Sequence, residues 1–208
     1  MGSAVTSGIT DRQLAALRAL APWLSEDTYL AGGVAVAARY GHRLSRDLDF
    51  FRPALDAEAT ISRLTESGLN VEIVSRAEQT VYLEVDGVPA SILGYAYPLL
   101  EPPVRLASLP VPVVAVSDLV GMKLSAVAGR GTKRDFWDLH VLLTQADQRL
   151  PDALALFQRK YTREDVGHVI RSLVYFGDAD PEPMPEPLTG EQWESIKADF
   201  QSWVRALE

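Results

Sequence analysis

The sequence predicts an α+β chain: a mixed sheet with flanking helices over residues 1–116, a helical module over 117–177, and an acidic proline-rich linker with a terminal helix over 178–208. Three observations carry this expectation. Short apolar segments with strand-like alternation recur as far as residue 116, and Asp86-Gly87 stands between two of them as a hairpin turn. From Ser117 onward the apolar period becomes that of helices.

The elements follow in order. Leu14, Leu17, Leu20 and Leu24 form a helical stripe that Thr10 or Asp11 caps. A short strand at 28–31 stops at Gly32-Gly33, a helix resumes over 34–40, and Gly41 ends it. Residues 46–51 alternate as a strand that Pro53 closes, 56–67 read as a helix ending at Gly68, and 69–75 as a strand. The segments 80–85 and 88–95 form the hairpin, and a proline-spaced stretch leads to the apolar run 113–116. Helices are expected from 117 or 118 to 128, over 132–146, 151–160 and 162–176. Four prolines between Asp180 and Pro187 mark an extended linker, after which Thr189 and Gln192 form a capping-box signature for a last helix over 190–206.

Composition narrows the function classes. A chain of 208 residues with 47% hydrophobic and 23% charged residues can bury a sizeable core, which excludes disorder over its whole length. No apolar run approaches the ~18 residues of a membrane span, and residues 1–10 do not resemble a signal peptide, so a cytoplasmic protein is expected. There is no cysteine and there are three histidines, so any metal should sit on carboxylates. The net charge of -8 argues against a nucleic-acid partner until its distribution is considered. Residues 178–208 hold eight acids against two bases, whereas basic side chains gather at Arg39, Arg43 and Arg46, and again at Lys123, Arg130, Lys133 and Arg134. The global charge is therefore a poor guide to the site.

The first constellation is Gly32-Gly33 followed by Asp47-Leu48-Asp49. On a strand, Asp47 and Asp49 project from one face about 7 Å apart while Leu48 and Phe50 enter the core. Two such carboxylates repel unless a divalent cation lies between them, and magnesium suits oxygen ligands shared with substrate phosphates. Paired glycines allow close approach of a phosphate to N–H groups at a helix start. Each piece also has an ordinary reading, as a loop turn or a solvated strand edge. The order of strand, Gly-Gly, helix and acidic strand is what makes a phosphate cradle beside a metal seat.

Three stretches carry a resemblance: Tyr29-Leu-Ala-Gly-Gly-Val-Ala-Val-Ala37, Gly41-His-Arg-Leu-Ser-Arg-Asp-Leu-Asp-Phe-Phe51, and Asp118-Leu-Val-Gly-Met-Lys123 with Arg130-Gly-Thr-Lys-Arg-Asp-Phe-Trp-Asp-Leu139. Together they resemble the AbiEii/AbiGii group of nucleotidyltransferase toxins, which includes the MenT toxins. The resemblance implies a polymerase-β-like nucleotidyltransferase fold, an enzyme using a nucleoside triphosphate with magnesium or manganese, and a cognate antitoxin protein. For MenT-like members it implies the 3′ end of tRNA as acceptor. It places functional residues at Lys123 and Asp138. Joined to the reading of the residues, this gives metal binding by Asp47 and Asp49, catalysis by these two with Lys123 and Asp138, and nucleotide binding by Gly32, Gly33, Ser45, Arg46, Lys123 and Arg130 as the expected site.

The remaining candidates have competing readings. Lys123 lies on an apolar helix, where it either snorkels to water or meets a phosphate. Asp135 reads as an acid in a helix first turn, whereas Asp138 beside Phe136 and Leu139 reads as the rim of a cleft. Lys133 and Arg134 either grip phosphates or form a solvated face, and Ser45 either caps a strand entry or contacts a phosphate. His140, His168, Trp137 and Trp193 are expected to pack within the fold. The third carboxylate usual in the wider superfamily has no obvious counterpart: Ser91 is the inward residue on the hairpin strand, and either Asp138 or Glu84 completes the site or metal binding is looser than in the wider superfamily. Two rivals stay open, an enzyme modifying a small hydroxylated molecule such as an aminoglycoside, and a non-catalytic protein that binds nucleotide or a partner.

Overall fold

The computed structural model describes residues 8–207; residues 1–7, where no leader segment is expected, and Glu208 lie outside the described residues. The chain divides into two compact units, the first comprising the residues to Pro98 with Pro102–Val114, the second Leu99–Glu101 with Ala115 onward.

The first unit is built on a five-stranded mixed sheet of order β1-β2-β5-β4-β3. Its strands are β1 (Tyr29–Leu30), β2 (Leu48–Arg52), β3 (Val71–Ala77), β4 (Thr80–Val85) and β5 (Val88–Gly94), and its helices are α1 (Asp11–Leu20), α2 (Gly32–Tyr40) and α3 (Ala57–Glu66). Only β2 and β5 run parallel. The hairpin between β4 and β5 forms at Asp86 and Gly87, whose positive φ values of 50° and 69° are those of the tight turn its strands require. Leu48, Phe50, Val81, Leu83, Val85, Ala90 and Ile92 are buried on one face of the sheet. Thr10 rather than Asp11 caps α1, in a reciprocal pair with Gln13.

Three boundaries differ from the sequence expectation. Helix α2 begins at Gly32, so the glycines form its first turn instead of preceding it; Gly32 at φ +65° lets the chain leave β1 directly into the helix. Strand β2 begins at Leu48, where pairing with Ala90 starts, which leaves Arg46 and Asp47 in the entering segment. Val113 makes isolated bridges to Leu30 and Val104 in place of a regular strand.

The second unit is helical: α4 (Val116–Gly129), α5 (Lys133–Gln145), α6 (Leu150–Tyr161), α7 (Gly167–Ser172) and α8 (Gly190–Arg205). The expected helix 162–176 shrinks to α7 because Thr162 adopts the left-handed conformation that terminates α6. The C-terminal residues pack tightly: Phe136 of α5 meets Phe176, Trp193 and Phe200 at 5.1, 5.9 and 5.5 Å between ring centroids. Lys133 Nζ donates to the Glu182 carbonyl at 2.7 Å and lies over the Trp193 ring. Through Ala179, Leu188, Trp193, Ile196 and Phe200, this segment contributes to the core of the second unit.

A buried ion pair organises the same unit. Lys160 and Asp118 are both 0% exposed, and Lys160 Nζ lies 2.6 Å from Asp118 Oδ1. The N–H groups of Leu100 and Glu101 donate to the same carboxylate at 3.0 and 3.2 Å, which ties Leu99–Glu101 to this unit. Removing one partner leaves the other charge uncompensated in the interior, at a cost of about 3–5 kcal/mol. Lys160→Met should therefore lower the urea midpoint strongly, and Lys160→Met with Asp118→Asn should recover part of the loss, because an asparagine still accepts from Leu100. Equal midpoints for Lys160→Met and the unsubstituted protein would contradict this account.

Candidate active site

The alternation of β2 places Asp49. Leu48 and Phe50 are 0% exposed, so the side chain between them projects from the opposite face of the sheet. Asp49 pairs in register with Ser91 of β5, whose hydroxyl donates to Asp49 Oδ1 at 2.8 Å. The Ala31 N–H donates to the Asp49 carbonyl at 2.9 Å and brings the next residue, Gly32, against the aspartate side chain. A Cβ on Gly32 would overlap Asp49 Oδ2, and its positive φ disfavours any other residue. The start of α2 and the carboxylate thus occupy one corner of the backbone.

Asp47 is exposed and stands at the bend immediately before β2. Its carbonyl accepts from the Ser45 hydroxyl at 3.4 Å. Ser45 is buried, its N–H donates to the Gly8 carbonyl, and its own carbonyl accepts from Gln13 Nε2 at 2.9 Å. Of the two readings of Ser45, the structure favours the structural one: its hydroxyl engages the main chain that leads into Asp47. Arg46 is exposed beside it, and Gly33 follows in the first turn of α2.

These residues fit a divalent cation of limited protein coordination. Asp47 and Asp49 offer carboxylate oxygens, and the missing Cβ of Gly32 lets the Asp49 carboxylate lie against the start of α2. Magnesium keeps several waters and shares its shell with phosphates, so a few carboxylates suffice. Among the described residues no three acidic or histidine side chains cluster. Ser91 occupies the register position where a third acid would adjoin Asp49. Glu84 does not replace it, because it lies one strand further out opposite Pro89 and Glu72, on the order of 10 Å from Asp49.

In the second unit, Lys123 is 5% exposed and its ammonium lies 3.1 Å from Asp135 Oδ1 and 2.7 Å from Asp138 Oδ2. Snorkelling to water is therefore excluded. Arg130 grips Asp135 with Nε at 2.6 Å and a terminal nitrogen at 2.9 Å, while the Thr132 hydroxyl donates to it at 2.7 Å. Burial alone would push the Asp135 carboxyl up, but the hydrogen bonds from Arg130, the charges of Lys123 and Arg130 and the Thr132 hydroxyl hold it well below the usual range. Asp135 is thus more than a first-turn acid: it is the centre of a balanced cluster of two cations and two carboxylates. Its spacing from Lys123, twelve residues along, was the available signal. Lys133 is buried with its ammonium donating to the Asp180 and Glu182 carbonyls, Arg134 is exposed, and Trp137 and Trp193 are buried as expected. Asp118 and Lys160 carried no recognised signal, although a lysine in the apolar stripe of α6 poses the same problem as Lys123.

Comparison with known proteins places these features in a family. MenT4, a nucleotidyltransferase toxin of Mycobacterium tuberculosis, superposes with a TM-score of 0.64 at 19% identity, covering 95% of this chain and 82% of that one. JHP933 of Helicobacter pylori superposes with a TM-score of 0.56 at 17% identity over 93% of this chain and 89% of its own. These likenesses show the nucleotidyltransferase fold. An uncharacterized protein of Aquifex aeolicus is 35% identical over 184 residues, 88% of each chain. Among the described residues no helix is long and apolar enough to cross a membrane. The model of the nucleotidyl transferase AbiEii toxin family, of type IV toxin–antitoxin systems, matches residues 15–208, and the chain belongs to that family of nucleotidyltransferase enzymes.

Proposed function

We propose that the chain transfers a nucleotide from a nucleoside triphosphate to the 3′ hydroxyl of tRNA in the cytoplasm, and that a cognate antitoxin protein restrains it. The observation that carries this reading is the corner where the Asp49 carboxylate meets Gly32 at the start of α2. Asp47 and Asp49 would hold magnesium or manganese. The bound ion supplies charge that compensates the phosphates and lowers the pKa of an attacking hydroxyl.

The chain's own residues do the positioning. Gly32 and Gly33 present helix-start N–H groups to the triphosphate, with Arg46 as an exposed cation near Asp47. Ser91 orients Asp49 through its hydroxyl. Lys123 and Arg130 are assigned to compensating triphosphate charge, and Asp138 to the catalytic set. Asp135 is the positioning residue that fixes where both cations sit. Such catalysis is mainly orientation and charge compensation, so the loss of one group is felt in rate more than in folding.

Asp49→Asn keeps the side-chain shape and still accepts from Ser91. Its melting temperature should stay near that of the unsubstituted protein while incorporation of labelled nucleotide into total tRNA falls at least about a hundredfold. Undiminished incorporation would overturn the assignment. Gly32→Ala should lose both, since it combines a strained φ, costing about 1–2 kcal/mol, with an overlap on Asp49.

Lys123 variants are poor tests of chemistry, because they leave two buried carboxylates facing each other. Asp135→Asn tests the positioning role through pH. A carboxyl held low in the folded state stabilises fully above the ordinary aspartate pKa of about 3.9 and progressively less as pH falls below it. The gap in melting temperature between the unsubstituted protein and Asp135→Asn should be widest near neutral pH and narrow on acidification. A gap that widens in acid would be inconsistent with the cluster as described.

A further inference from the structure

An aromatic ladder continues the sheet face that bears Asp49. Phe51 lies two residues along β2 on the same face, about 7 Å from Asp49. It stacks on the buried Tyr29 at 6.2 Å and meets Tyr95 edge-on at 5.3 Å; Tyr95 in turn meets Tyr97 at 5.1 Å. The Tyr95 N–H donates to the Arg52 carbonyl at 2.7 Å, which extends the β2–β5 pairing and holds the ladder to the strand. Exposure rises along it, from 2% at Tyr29 to 47% at Tyr97.

The direction of the ladder relative to the glycine corner gives it a role. Tyr29 and Leu30 pair with Phe51 and Phe50, so the chain passes Asp49 at Ala31 and reaches Gly32 on the side toward Asp47. The phosphate cradle and the aromatic ladder therefore flank Asp49 on opposite sides. Phosphoryl transfer places the attacking and leaving oxygens in line on opposite sides of the phosphorus. With the leaving pyrophosphate toward Gly32 and Gly33, the attacking hydroxyl arrives from the side of Phe51. The lateral alternative, outward from Ser91 to Tyr82, is less suited to a phosphate chain because Glu72 and Glu84 pair there across β3 and β4.

We propose that Phe51, Tyr95 and Tyr97 form the acceptor subsite, in which Tyr95 and Tyr97 stack the terminal bases of a single-stranded RNA 3′ end and Phe51 seats them beside Asp49. The inference rests on the nucleotidyl transfer proposed above and deepens it by assigning the acceptor's binding residues. The reaction is unchanged: the 3′-hydroxyl oxygen bonds to the α-phosphorus, the bond from that phosphorus to the bridging oxygen breaks, and pyrophosphate leaves with the electron pair while the hydroxyl proton passes to solvent. Base–aromatic stacking tolerates any base, so the ladder supplies affinity for a frayed end rather than sequence recognition.

The test uses full-length protein and two readouts. The first is the binding of a fluorescein-labelled RNA oligonucleotide ending in CCA, followed by anisotropy without triphosphate. The second is steady-state transfer, with KM measured separately for tRNA and for triphosphate. Tyr97→Ala, at an exposed position, should weaken RNA binding and raise the tRNA KM about tenfold or more, leaving the triphosphate KM at its original value, and Tyr97→Phe should restore binding. RNA binding that Tyr97→Ala leaves unaltered would overturn the proposal, as would absence of RNA binding by the unsubstituted protein. A rise confined to the triphosphate KM would overturn it too, by assigning the ladder to the incoming base. If Tyr97→Ala weakens RNA binding while the unsubstituted protein transfers nothing to tRNA, the ladder stands as an RNA-binding element and the tRNA reading above falls.

Discussion

Leu48 and Phe50 fix the rotation of β2, and with it everything that the Asp49 carboxylate can do. Both are fully buried, and strand side chains alternate with period two. A slip of one residue would send Asp49 into the core and Phe50 into the site, at the cost of an unpaired buried charge. The apolar pair therefore specifies the register that the chemistry needs. The same register aligns Ser91 with Asp49 and Leu93 with Phe51, so one parallel pairing sets both the carboxylate's partner and the start of the aromatic ladder.

The parts of this arrangement that were legible in the sequence are those encoded by local chemistry. The Asp86-Gly87 turn, the Thr189–Gln192 capping box and the β2 alternation each depend on residues within a few positions, and each appears in the structure. Gly32 was legible as a phosphate-approach residue, but the contact that forbids a side chain there comes from a strand seventeen residues later. The Asp118–Lys160 pair and the docking of α8 on Phe136 depend on separations of 42 residues and more, beyond any periodicity. Residues 178–208 are acidic in composition, yet Trp193, Ile196 and Phe200 bury one stripe of α8 while Glu191 and Glu194 stay exposed. Net charge described the exposed stripe and concealed the buried one.

Lysines in apolar helices mark the second unit's electrostatics. Lys123 and Lys160 are each surrounded by apolar positions in the sequence, and each meets a buried carboxylate in the structure. A bare ammonium in such surroundings would carry a large desolvation penalty, so the pairing is a condition of their presence. The pairs differ in what else they hold. Asp118 binds main-chain N–H groups and thereby a loop, which makes it architectural. Asp135 binds a second cation, Arg130, whose side chain is 67% exposed, so that cluster extends from the interior to the surface.

The two units surround their inward carboxylates differently, and the difference bears on the third acid that the proposed site lacks. In the second unit, the buried acids Asp118, Asp135 and Asp138 each face a cation belonging to the chain, and their charge is already balanced. In the first unit, Asp49 faces a neutral hydroxyl, Ser91, at the position where another acid would stand. A third carboxylate there would add like-charge repulsion in the resting protein, which a bound ion would then have to relieve. With Ser91 the resting repulsion is lower, and on the proposed function more of an ion's coordination would fall to water and to the triphosphate that it accompanies. On the function proposed here, metal and nucleotide binding would be thermodynamically coupled, each strengthening the other by the same factor, and Asp47 and Asp49 would supply only the fixed part of the shell.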